Sequence, residues 1–275
     1  MGTNTTGWTE GTVEVEGHPV FYRRSAEVPG SLPIVHVHGF AISGTYLMPT
    51  ARVLAGRATN LVPDLPGYGR SEKWDYTLGI PALAHALIRI LDALELEKVV
   101  LVGNSMGCPV SLEVAHSDPG RVERIVLVSP AGGVHNQGLV RAIRQLAMDG
   151  PRESRQMARV AVPDYVRFGP VNTFHLFSEL TRFPSLERIV RSTVPTLAVI
   201  GSRDPLMPPP ARVREVSRLA GDNTTVALIE GAAHAINFSH PGELAHVIGS
   251  WLDDVEIVDD PDSPGLTRVL QLPRG

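Results

Sequence analysis

The run Gly103-Asn104-Ser105-Met106-Gly107 places one serine hydroxyl between two glycines. A serine is a poor nucleophile until a neighbouring base takes its proton. The apolar run Val99 to Val102 leads straight into the motif, and Ser105 to Ser117 follows with a helical pattern. Strand, sharp turn and helix form the setting in which G-x-S-x-G presents a nucleophile. Side chains at Gly103 and Gly107 would collide with the neighbouring strand and helix. The hydroxyl then stands above the sheet at a helix N-terminus, where backbone N–H groups favour negative charge.

The partners of such a serine follow it in the chain, first an acid and then a histidine. After the apolar run Thr196 to Ile200 comes Gly201-Ser202-Arg203-Asp204-Pro205, and after Thr225 to Ile229 comes Glu230-Gly231-Ala232-Ala233-His234. Both residues leave strands of one parallel sheet on the same edge as Ser105. His234 is the expected base, and Asp204 the acid that fixes its tautomer and stabilises its charged form. The position after the preceding strand reads Ser129-Pro130-Ala131 and offers no carboxylate. Asp64 precedes Ser105 and is expected to hydrogen-bond its own Gly-rich turn. The remaining histidines are expected at the surface or in an inserted segment.

A tetrahedral intermediate needs donors aimed at its oxygen. The Met106 N–H is one. The Phe40 N–H, in His38-Gly39-Phe40-Ala41, is the other, with the Phe40 ring at the pocket floor or entrance. A rival chemistry lies in His36-Val37-His38, since residues two apart on a strand face the same way. Metal-dependent hydrolases need further ligands, and neither H-x-H-x-D-H nor H-E-x-x-H is present. No metal and no organic cofactor is expected. The lone Cys108 is read as packing.

These groups need a scaffold. Strand-like and helix-like segments alternate, which predicts an α/β fold with a mostly parallel sheet. Thr12 to Glu16 and His18 to Arg23 read as an opening hairpin at Gly17. Pro33 to His38, Asn60 to Pro63 and Arg124 to Val128 read as further strands, and Pro81 to Leu94 and Pro241 to Leu252 as helices. Between about His135 and Arg191 no buried strand is legible, yet Phe168, Phe174, Phe177 and Phe183 make up four of the seven phenylalanines. We read this stretch as a helical cap over the carboxyl edge of the sheet, where such sheets bind ligands. Residues 1–134 and 192–255 then form the core. Residues 256–275 form an acidic, Pro- and Gly-containing tail expected to be partly mobile. Phe40, Phe168, Phe174 and Phe177 are the expected substrate-binding side chains.

The chain has 275 residues, is 43% hydrophobic and 20% charged, and carries a net charge of −4, so nothing points to nucleic acid. A single cysteine excludes an intramolecular disulfide and suits a reducing compartment. No secretory signal and no membrane-spanning run is read, so a cytoplasmic protein with a small-molecule substrate and no membrane partner is expected. Oligomeric state is not legible. Met1-Gly2-Thr3-Asn4-Thr5-Thr6 fits the loose myristoylation pattern without a polybasic second signal.

In order, His38-Gly39-Phe40, Asp64-Leu65-Pro66-Gly67-Tyr68-Gly69-Arg70-Ser71, Gly103-Asn104-Ser105-Met106-Gly107, Gly201-Ser202-Arg203-Asp204 and Gly231-Ala232-Ala233-His234 resemble the α/β-hydrolases over residues 12 to 253. The resemblance implies the α/β-hydrolase fold and a Ser105–Asp204–His234 triad, but no substrate. Branches with an aspartate nucleophile, the haloalkane dehalogenases and epoxide hydrolases, do not fit Ser105. The elbow resembles that of hydrolases cleaving carbon–carbon bonds in aromatic ring-fission products. Those usually carry more glycine where this chain has Phe40-Ala41-Ile42-Ser43, and often Trp where it has Ala235. A carboxylesterase acting on a small or medium apolar ester is therefore expected. The carbon–carbon hydrolase, a cofactor-free perhydrolase and a low-turnover binding or receptor protein are the alternatives.

Overall fold

Among the described residues, apolar strands joined by one tight turn and by helical connections build a nine-stranded sheet. The structure is a computed structural model and describes residues 7–130, 155–169, 176, 178–180, 182–206, 223–259 and 267–271. The strands are β1 (Trp8–Val15), β2 (His18–Ser25), β3 (Ile34–Val37), β4 (Asn60–Pro63), β5 (Val99–Asn104), β6 (Val122–Val128), β7 (Thr196–Gly201), β8 (Thr224–Ile229) and β9 (Thr267–Gln271), in the spatial order 1-2-4-3-5-6-7-8-9. Strands β4, β3, β5, β6, β7 and β8 are parallel, and β1, β2 and β9 join antiparallel at the two sides. The opening hairpin turns at Glu16 and Gly17, at φ 52° and 83°. Positive φ at both central residues matches the right-handed twist of the flanking strands.

The helices are α1 (Met48–Leu54), α2 (Ile80–Ala93), α3 (Gly107–Ser117), α4 (Arg155–Phe168), α5 (Ser185–Arg191), α6 (Ile236–Ser239) and α7 (Pro241–Leu252). Pro81 starts α2, where a missing N–H costs nothing, and Ile80, Leu83, Ala84, Leu87, Ile90 and Leu91 repeat at the spacing that buries one face. That face packs on one side of the sheet with α3, against Val35, Val37, Leu101 and Leu127. The other side carries Ile34, Val100, Val102, Val126 and Val128 under Leu244, Val247, Ile248 and Trp251 of α7. Period-two alternation thus splits each central strand between two apolar layers.

From β3 the chain runs to β4 on one side, then crosses to β5 on the other. The ends of β3 and β5 therefore flank a topological switch point, the usual ligand position in such sheets. Residues 129–195 connect the neighbouring strands β6 and β7, and their described part contributes α4 and α5.

Residues 267–271 add a strand that the sequence reading did not pick out, β9, which pairs with β8. One expectation changes: the histidines are not all peripheral, because His36 and His38 are completely buried. His36 donates from Nε2 to Asn60 Oδ1 at 2.7 Å, since the Asn60 amide nitrogen is committed to the Ala58 carbonyl. Burial pushes the His36 imidazole down to about 4, against the Asn60 hydrogen bond that works to raise it. The unfolded chain therefore binds a proton between pH 6.5 and 4 that the folded chain does not, and stability falls as pH drops through that window. Denaturant unfolding at pH 7 and pH 4 should show a loss of up to about 3 kcal/mol from this group. His36→Gln, which cannot titrate, should flatten that part of the slope.

Candidate active site

Ser105 lies at the tip of β5 with φ 54°, in the left-handed region. Such a conformation costs a residue with a side chain roughly 1–3 kcal/mol and persists only where its surroundings dictate it. They do so here. The Ser105 N–H donates to the Val128 carbonyl at 3.0 Å, and the Cys108 N–H donates to the Ser105 carbonyl at 3.0 Å. A Cβ on Gly103 would overlap the Gly107 carbonyl, and one on Gly107 would overlap the Val37 carbonyl. Gly103 lets β5 and α3 close on each other and Gly107 lets α3 close on the end of β3, which together force the turn.

The loops after β7 and β8 meet beside this turn. The Ser202 N–H donates to Ile229 O at 3.1 Å, the Arg203 N–H to Ala232 O at 2.9 Å, and the Gly231 N–H to Ser202 Oγ at 2.8 Å. These bonds bring His234 Nδ1 to 2.8 Å from Asp204 Oδ2. An ionised carboxylate only accepts, so Nδ1 carries the proton and Nε2 is the basic nitrogen. The Leu206 N–H donates to Asp204 Oδ1 at 2.8 Å. Burial works to raise the Asp204 carboxyl. The charge and hydrogen bond of His234, the Leu206 N–H and the Ser129 side chain outweigh burial and hold the carboxyl below its ordinary value. Asp204 is thus a buried carboxylate, His234 is 8% exposed and Ser105 is 9% exposed. The amide of Asn104, the residue before the serine, lies 3.4 Å from the His234 carbonyl, so elbow and histidine loop are in direct contact.

The loop after β3 is fixed from several sides. His38 Nε2 accepts the Leu65 N–H at 2.9 Å, so its proton resides on Nδ1 and is donated to Gly39 O at 2.9 Å. A trans peptide points its N–H opposite to its C=O. Pinning the Gly39 carbonyl therefore aims the Phe40 N–H away from His38. Gly39 is required by close approach, since a Cβ there would sit 3.2 Å from Ser105 Cβ and 3.0 Å from the Tyr46 hydroxyl. Asp64 Oδ1 accepts from Gly44 N–H and Arg23 at 2.9 Å each, and its Oδ2 accepts from Arg70 N–H at 2.9 Å. Asp164 of α4 takes the Ser43 N–H at 2.7 Å, joining the segment between β6 and β7 to this loop.

Among the side chains expected to bind substrate, Phe40 and Phe168 are buried and pack edge-on with centroids 5.8 Å apart. Tyr68 stacks on Phe168 at 4.9 Å. Phe174 and Phe177 lie outside the described residues. The His36–His38 pair does not form a ligand set. Asn60 engages one ring, and backbone groups hold both nitrogens of the other.

Residues 34–247 match the alpha/beta hydrolase family. The chain belongs to that family. The chain is 33% identical over 143 residues, 52% of its length, to an uncharacterized protein of Mycobacterium tuberculosis, and the match spans 41% of that protein. It is 26% identical over 223 residues to a candidate esterase/lipase of Mycoplasma pneumoniae, covering 75% of this chain and 80% of the relative. A thermophilic esterase from Thermogutta terrifontis shares the fold with a TM-score of 0.68 at 20% identity, over 88% of this chain and 96% of that one. Among the described residues no helix is long and apolar enough to cross a membrane.

Tyr46, Asp164 and Arg23 carried no signal in the sequence, because each acts through a partner distant in the chain. Arg23 and Asp64 form an ion pair with side chains 10% and 0% exposed. Breaking a buried pair from one side strands the other charge at a cost of about 3–5 kcal/mol. Asp64→Ala should therefore lower the melting temperature by on the order of 10 °C in thermal unfolding. An Arg23→Met/Asp64→Ala double variant should recover part of that loss.

Proposed function

We propose that this hydrolase cleaves carboxylic esters of small to medium apolar groups through an acyl-enzyme on Ser105. The observation that carries the reading is the buried 2.8 Å bond between His234 Nδ1 and Asp204 Oδ2, next to a serine held at φ 54°. Ser105 Oγ attacks the ester carbonyl while His234 Nε2 takes its proton. Asp204, kept ionised by its partners, stabilises the imidazolium that forms. The N–H groups of Phe40 and Met106 hold the tetrahedral oxyanion. His234 returns the proton to the departing alcohol. It then draws a proton from water, which attacks the acyl carbon and releases the acid and Ser105.

In this reading the described part of the segment between β6 and β7, α4 and α5, belongs to a cap over the site. Phe40 and Phe168 supply the apolar wall that sizes the substrate. The candidate esterase/lipase among its relatives supports ester chemistry over the other reactions this fold hosts.

Hydrolysis of p-nitrophenyl esters of increasing acyl length tests the reading. Short chains should turn over, and Ser105→Ala should lower kcat by on the order of 10⁶ where the triad acts as a unit. Asp204→Asn should lower kcat by on the order of 10²–10⁴, because the amide favours the wrong imidazole tautomer. Full activity in Asp204→Asn would remove Asp204 from the mechanism. A wild type inert to every ester but active on a ring-fission dienoate would replace ester cleavage by carbon–carbon cleavage.

A further inference from the structure

Tyr46 and Asn104 are almost completely buried, 2% and 1% exposed, and form a polar junction beneath the candidate site. The Tyr46 hydroxyl donates to Asn104 Oδ1 at 2.6 Å and accepts the Gly39 N–H at 2.8 Å. Asn104 Nδ2 donates to Val128 O at 3.0 Å and reaches His234 O at 3.4 Å. The directions follow from chemistry. Two carbonyls face one end of the amide, so that end is the NH₂ group, and the other must accept the phenol proton. The same phenol then has lone pairs left for the Gly39 N–H.

Two side chains therefore join the ends of four strands. Gly39 follows β3, Asn104 ends β5, Val128 ends β6, and His234 follows β8. Gly39 immediately precedes Phe40, and Asn104 immediately precedes Ser105. We propose that Tyr46 and Asn104 are positioning residues that set the spacing of the Phe40 N–H, Ser105 and His234 without touching substrate. This rests on the serine-hydrolase reading above. The hydroxyl ties the Gly39 N–H to the Asn104 amide oxygen, so its removal takes a partner from a buried N–H and from a buried amide oxygen at once. The loop between them is then free to shift by tenths of an ångström, which matters for a donor that must meet an oxyanion at about 2.7–3.1 Å.

The test compares wild type, Tyr46→Phe, Asn104→Ala and the double variant. Competent Ser105 is counted by titration with a fluorophosphonate. The kcat per titrated site and KM are measured on p-nitrophenyl butyrate, and the melting temperature is recorded alongside. Each single variant should lower kcat per site and the fluorophosphonate rate constant about ten- to hundredfold, with KM changed less than threefold. The double variant should fall close to the worse single, as expected for residues acting as one unit. A variant that melts lower yet keeps the wild-type kcat per titrated site would show a merely structural junction and overturn the proposal. A change confined to KM would overturn it too, by placing Tyr46 or Asn104 against substrate. A wild type that takes neither label nor any ester would sink the serine reading and the proposal together, whereas a reactive wild type with an unaffected Tyr46→Phe sinks the proposal alone.

Discussion

The left-handed turn at Ser105 constrains everything around it. No serine rests at φ 54° by preference, so the strand before it and the helix after it must hold it there. That in turn requires Gly103 thin enough for β5 to touch α3, Gly107 thin enough for α3 to touch the end of β3, and a β5 clamped by β3 and β6 on its two sides. Ala41 and Ser129, at φ 55° and 46°, lie on the same sheet edge and are strained in the same way. Three of the six described non-glycine residues with positive φ thus fall where β3, β5 and β6 end. The wide apolar layers under α2 and α7 supply the stability that lets this edge persist.

The same edge concentrates buried polar atoms. Asp64, His38, Asn104, Tyr46 and Asp204 all lie within an interior of low polarity, where a satisfied hydrogen bond is stronger and an unsatisfied one more costly than in water. Each takes at least one partner from another strand or loop, and His38, Asp64 and Asp204 also bond residues close to them in the chain. The loops are therefore held by directional bonds between elements, and none can move without breaking bonds to another. This arrangement suits a site whose reacting groups must be placed to a fraction of an ångström.

Local signals were legible in the sequence and non-local ones were not. The elbow, the Glu16-Gly17 turn and the strands bearing Asp204 and His234 announce themselves within a few residues, through glycine spacing and apolar runs. The parallel strand arrangement followed from the alternation of segment types. The bond from Tyr46 to Asn104 spans 58 residues, that from Ser43 to Asp164 spans 121, and that from Arg23 to Asp64 spans 41. Nothing near Tyr46 or Asp164 distinguishes it from any other tyrosine or aspartate. His36 looked like half of a ligand pair because its partner, Asn60, lies on the adjacent strand β4. β9 escaped notice for a related reason, since its strand character comes from the edge it pairs with and not from its own short sequence.

That ninth strand has a consequence for solubility. β8 is parallel, apolar and almost wholly buried, and it carries the loop of His234. As the last strand of the sheet it would offer a row of unpaired backbone donors and acceptors to any passing chain, the usual origin of edge-to-edge aggregation. β9 occupies those groups through Ala227↔Val269, Leu228↔Arg268 and Ile229↔Thr267, with an irregularity at Val226/Ala227 that interrupts the regular ladder. It places the exposed, charged Arg268 within 3.7 Å of Glu230, a residue that follows β8 and precedes His234. The boundary of the sheet is thereby moved from an apolar strand to one bearing charge.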